Sequence, residues 1–152
     1  MRCTLLAVGR GGSGATQDLF ELYARRLTPP LALIEVEERR KLPEAALRDR
    51  EAELLLAAMP RGALLVALDE RGAESTSEEF AIRLGRWRDE GVHDLAFAIG
   101  GAAGHGPALR SKADLLLSLG RMTWPHMLVR GMLAEQLYRG FSILAGHPYH
   151  RA

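Results

Sequence analysis

Residues 94–112 read DLAFAIGGAAGHGPALRSK. The run 94–99 is apolar and short, which suits a buried strand, and it ends on Gly100 and Gly101. Pro107 then stands where a first helical turn would begin, so residues 107–113 predict a short helix. Strand, glycine loop and helix in that order make a β–loop–α unit. The same order recurs outward from it. Upstream, Ser75 followed by Glu78 has the capping-box spacing and opens a helix. Phe80, Leu84 and Trp87 mark the buried face of that helix, and Gly91 ends it. Before it lie an apolar strand at 63–68 and a helix at 44–58 stopped by Pro60. Before these come an alternating strand at 31–37, a helix at 15–27 and a strand at 2–8. In the first helix Leu19, Leu22, Tyr23 and Leu27 have the spacing of a buried face. Downstream, 115–119 is an apolar run that fits strand or helix. After Pro125 a long amphipathic helix reaches about Leu144, with Leu128, Met132, Leu133, Leu137 and Phe141 inward. Alternating strands and helices predict an α/β fold, a mostly parallel sheet flanked by helices, in one domain over residues 1–152.

Composition narrows the class. No apolar segment approaches the roughly 20 residues of a membrane helix. The apolar start of the chain is too short for a signal peptide. One cysteine, Cys3, lies in an apolar run and fits a reducing compartment. The expectation is a soluble, cytoplasmic protein. The net charge of +1 hides an asymmetry. Residues 1–94 carry 14 Arg/Lys against 17 Asp/Glu, whereas residues 95–152 carry 6 against 2, with four of the five histidines. A positive end poor in carboxylates suits a polyanion.

Three glycine loops could hold a ligand. Gly9-Arg10-Gly11-Gly12-Ser13-Gly14 matches G-x-G-x-x-G between a strand and a helix, and Glu35 lies at the distance of a ribose-binding acid. This is a dinucleotide fingerprint, but the chain offers no second half for a nicotinamide. The second loop follows Leu68, and the third runs from Gly100 to Pro107. Both fall at carboxyl ends of strands, where open α/β sheets bind ligands, with residues 119–124 beside them. The third loop is nearly bare of side chains, so its backbone can approach a flat ligand such as adenosine.

The segments LLAVGR, LDERG, AIGGAAGHGP, RMTWPHMLVRGMLAEQLYRGFSI and HPYHR span the chain. Together they resemble the SPOUT-superfamily methyltransferases that methylate N3 of a pseudouridine in 23S ribosomal RNA. The resemblance implies a C-terminal deep trefoil knot, S-adenosylmethionine as methyl donor, a homodimer, and the assembled ribosome or large subunit as substrate. It places the donor against Leu68, Gly100 and the segment Leu119, Gly120, Arg121, Met122, Thr123 and Trp124. The chain departs from relatives in its Gly-rich first loop and in Gly120, where some members carry serine.

The sulfonium methyl is electrophilic, so the protein must align the reactants and make N3 nucleophilic. His126 or His150 would take or relay the proton, and Arg151 or Arg130 would hold a base carbonyl or a phosphate. Tyr149 could stack on a base. The tail after Leu144 is short, so in a dimer it could complete the partner's pocket. His147 and His150 lack a third ligand, and no metal is expected. The competing readings are a dinucleotide enzyme and a catalytically silent RNA-binding domain.

Overall fold

The computed structural model describes residues 1–151. Five strands, β1 (Arg2–Val8), β2 (Ala32–Val36), β3 (Leu64–Ala73), β4 (Asp94–Ile99) and β5 (Leu115–Leu117), form one sheet in the order β2-β1-β4-β3-β5. Every neighbouring pair is parallel. The ambiguous run 115–119 is thus a strand over its first three residues. The helices are α1 (Ala15–Ala24), α2 (Glu44–Ala58), α3 (Ser77–Asp89), α4 (Pro107–Lys112) and α5 (His126–Leu144).

Side-chain alternation divides the core in two. Cys3, Leu5 and Ala7 of β1, with Val66, Leu95 and Phe97, face Phe20 of α1, Leu84 of α3 and Leu133 and Leu137 of α5. Leu6 and Val8 of β1, with Leu65, Ala67, Ala96 and Ala98, face Leu55 of α2 and Leu109 of α4. A period of two therefore sends α1, α3 and α5 to one face and α2 and α4 to the other. Each fully buried leucine contributes about 1.5–3 kcal/mol. Two glycines let the first layer close up. A Cβ at Gly131 would lie 2.8 Å from Leu19, and one at Gly140 would lie 2.8 Å from Leu84.

Four expectations are corrected. The cap of α3 is Thr76 with Glu79, each bonding the other's backbone N–H, one residue past Ser75 and Glu78. Both pairs have the same spacing, and the next hydroxyl along takes the cap. Leu27 is buried as expected, just past the end of α1, but within the helix the buried face is Phe20 and Ala24, whereas Leu22 is exposed and Leu19 and Tyr23 are half-buried. Strand β3 runs past Leu68 to Ala73, with an irregularity in its pairing to β5 between those residues. The second glycine loop is thereby largely strand. In α5, Leu133 and Leu137 are buried as expected, but Arg130 is buried too, while Leu128, Met132 and Phe141 are half-covered.

Candidate functional site

Residues 68–71 of β3 and the carboxyl ends of β4 and β5 open on a cleft of ≈ 560 Å³. Leu68, Gly100, Leu119, Gly120, Met122, Thr123 and Trp124 line it, and so does His126. Arg121 is exposed and is not among the lining residues. Sequence reasoning missed Asp69, His105 and Val129, which also line the cleft. His105 had a usable signal, because a ring in an otherwise bare loop marks the one side chain the loop must place.

The walls are backbone, and each has a reason. Gly120 has φ +116, a conformation that favours glycine. The Ser118 hydroxyl accepts from the Gly120 N–H at 3.2 Å and lies 2.9 Å from the Gly120 carbonyl. This pins the turn out of β5. In the third loop, Nε2 of His105 donates to the Ala98 carbonyl at 3.2 Å. Burial pushes the His105 ring toward its neutral form, against the Ala98 carbonyl and the Asp69 charge. A Cβ at Gly100 would meet the Gly104 carbonyl carbon at 3.1 Å and His105 Nδ1 at 3.2 Å. Asp69 is held under the rim by the Arg71 N–H at 2.9 Å and by Arg110 at 3.3 Å. Trp124 and Met122, 40% and 73% exposed, stand at the mouth.

Residues 1–150 match the family described as a predicted SPOUT methyltransferase. The chain belongs to that family. It is 62% identical over 99% of both chains to the ribosomal RNA large subunit methyltransferase H of Paramagnetospirillum magneticum. It is 61% identical over the full length of both chains to the protein of that name from Rhodospirillum centenum. Among solved structures, a probable methylase family protein from Haemophilus influenzae superposes with a TM-score of 0.55 at 12% identity. That match covers 99% of this chain and 70% of the other, and it supports the fold alone.

SPOUT methyltransferases use S-adenosylmethionine. The cleft fits such a donor. Residues 100–104 of its wall carry no side chain larger than a methyl, so main-chain groups can face an adenosine directly. No group of three or more His, Cys, Asp or Glu able to hold a metal occurs among the described residues. Among the described residues no helix is long and apolar enough to cross a membrane.

Of the residues proposed for chemistry, only His126 reaches the cleft. Arg130, one turn behind it on α5, is 1% exposed and turned away. Its guanidinium donates to Glu35 at 2.6 Å and to the Gly9 carbonyl at 3.0 Å. The tail lies elsewhere because the chain turns back after α5 at Gly146, where φ is +69. The Tyr149 hydroxyl donates to Glu135 at 3.0 Å and lies 3.3 Å from that of Tyr23. Burial and these partners push the Tyr149 hydroxyl pKa upward. Arg139 donates to Nδ1 of His150 at 3.2 Å, and Nε2 of His150 donates to Glu78 at 2.8 Å. Arg151 is exposed. Glu135 is nine residues from His126, about 14 Å along the helix axis. Within one chain the tail therefore does not complete the cleft.

The first glycine loop is also explained. Gly11 donates its N–H to Glu35 at 2.5 Å, and Arg130 covers the same carboxylate oxygen. The acid placed for a ribose is already engaged by the protein's own Gly11 N–H and Arg130 guanidinium. The dinucleotide reading fails on that geometry.

Proposed function

We propose that this chain transfers a methyl group from S-adenosylmethionine to N3 of a pseudouridine in 23S ribosomal RNA, on the assembled ribosome in the cytoplasm. The observation that carries the reading is the backbone-lined cleft with His126 at its edge, in a chain closely similar to large-subunit methyltransferases. Bound there, the sulfonium supplies an electrophilic methyl. Gly100 and the segment 119–124 hold the donor through main-chain contacts, and Trp124 walls the adenosine region. His126 takes the N3 proton as the base is positioned, a contribution of about 10²–10⁴ in rate for a group of this type.

The enzyme works as a homodimer. A groove of ≈ 490 Å³ between α1, α3 and α5, lined by Leu19, Phe80 and Met132, supports a second copy seated on this face. In that dimer Tyr149, His150 and Arg151 of one tail serve the partner's cleft, with Arg151 holding a base carbonyl or a phosphate. The C-terminal knot belongs to the same reading. Its support is the tight passage of β5 beside β3, where a Cβ at Gly72 would lie 2.6 Å from the Leu116 backbone.

The test is methyl transfer from labelled donor to ribosomes by the wild type and by His126→Ala. The expected result is a loss of about a hundredfold or more in turnover, with S-adenosylhomocysteine affinity retained. Undiminished turnover in the variant contradicts the assignment of His126.

A further inference from the structure

Glu35 and the first glycine loop lie outside the cleft, yet they hold one of its walls. Strands β1 and β2 form the edge of the sheet away from β3 and β5. Helix α5 spans the two regions. Its first turn carries His126 and Val129 into the cleft on one side. On the other side, Met127 lies 3.6 Å from where a Cβ of Gly9 would stand. This end of α5 has no side-chain cap; Pro125 occupies the cap position and its carbonyl accepts from Leu128 and Val129. No acidic residue lies in the first turn. The anchor is Arg130 instead. Its guanidinium is buried and reaches the Gly9 carbonyl at the end of β1 and the Glu35 carboxylate at the end of β2. Its Nε has no partner.

An ion pair whose arginine is buried with an orphaned nitrogen, and whose carboxylate stays 31% exposed, is a poor device for stability, because desolvation of the guanidinium offsets most of the attraction. It is a good device for fixing direction, since a planar guanidinium is satisfied in few orientations. The loop is shaped to fit it. A Cβ at Gly11 would lie 2.6 Å from the Gln17 side chain and 2.9 Å from the Arg130 guanidinium. A side chain at residue 11 would have to displace the end of the Gln17 side chain and crowd the Arg130 guanidinium. Burial opposes ionisation of Glu35, but the Arg130 and Gly11 hydrogen bonds and the charges of Arg130 and Arg10 outweigh it and hold its pKa below the ordinary value.

We infer that Glu35, Arg130 and Gly11 form a clamp that positions the first turn of α5, and so His126, against the donor cleft. Glu35 and Arg130 are positioning residues and touch no reactant. The inference rests on the methyltransferase reading only where it names His126 as the group positioned.

The test compares wild type, Glu35→Gln and the double variant Glu35→Gln/Arg130→Met. The double variant removes both charges and fills the space with an apolar chain, which separates positioning from the harm of one unpaired charge. Amide hydrogen exchange gives a readout independent of activity. Exchange at residues 128–130 should rise at least tenfold in both variants, with protection in α2 and α3 unchanged. The double variant should melt within a few degrees of wild type and bind S-adenosylhomocysteine within threefold of it. Its turnover on ribosomes should fall at least tenfold, with the donor KM little changed. A double variant that fails to fold overturns the proposal, as does one with wild-type exchange at 128–130 or wild-type turnover. If the wild type itself transfers no methyl to ribosomes, the functional reading fails and the exchange data still decide the clamp.

Discussion

Gly100 shows what a single position demands of the proposed donor cleft. Its missing side chain leaves the third loop closed on His105, and a methyl group there has backbone on one side and an imidazole on the other. Gly100→Ala must push the loop outward. Affinity for S-adenosylhomocysteine should fall about tenfold, or roughly 1.4 kcal/mol, measured by calorimetry, while the melting temperature changes little. Glu51 makes a different demand. It lies on α2 beneath the same loop, 6% exposed, with burial alone raising its pKa above the ordinary carboxylate value. Between the unfolded and folded pKa values the folded protein binds more protons, so stability falls as pH rises through that window. Glu51→Gln should therefore raise the melting temperature at neutral pH and leave it unchanged near pH 4, about where the unfolded side chain titrates. A lower melting temperature at neutral pH would show that the carboxylate makes a stabilising contact. At this scale the sequence was legible where backbone geometry dominates, as at Gly100 and Gly120. It was not legible for Arg130. The spacing from His126 puts both on one helix face, but only the fold shows that the end of β1 and Glu35 capture the guanidinium.

Helices and strands were the most legible elements, because a period of two or 3.6 survives in the sequence of a buried core. Their ends were less so. At the start of α3, Ser75 with Glu78 and Thr76 with Glu79 satisfy the same rule, and only the backbone turn chooses between them. Thr76→Ala should cost about 1 kcal/mol, roughly 3 °C in a protein of this size. Ser75→Ala should stay within about 0.5 kcal/mol. Thermal melts of the two variants read this directly, and equal losses would contradict the assigned cap. The buried face of α1 was misplaced by a residue for a related reason. Leu19 and Tyr23 border the open groove between helices, so their spacing marks a surface left half-covered in the single chain.

At the scale of the molecule, one chain supplies the proposed donor cleft with His126 at its edge, but its own tail runs along the other end of α5. A dimer with shared sites makes a distinct prediction. Mixing a cleft variant, Gly100→Ala, with a tail variant, Arg151→Ala, should restore up to about a quarter of the wild-type activity through mixed dimers that keep one intact site. No recovery in mixtures shown to exchange subunits means that sites are not shared. The net charge of +1 is small for an enzyme of RNA. Free 23S RNA should therefore be a much poorer substrate than ribosomes, since shape rather than charge must supply most of the recognition. Equal rates on the two would contradict this. Charge asymmetry and loop positions made a ligand edge legible in the sequence. Whether a tail serves a partner's cleft was not, because that depends on how two chains would meet.

The central claim is that this cleft delivers a methyl group to N3 of a pseudouridine in the large-subunit RNA. Its most direct test is mass spectrometry of nucleosides from ribosomes treated with the protein and isotopically labelled S-adenosylmethionine. The expected result is labelled N3-methylpseudouridine at one position of 23S RNA. Ribosomes and subunits that acquire no labelled methyl, or acquire it on another atom, would contradict it.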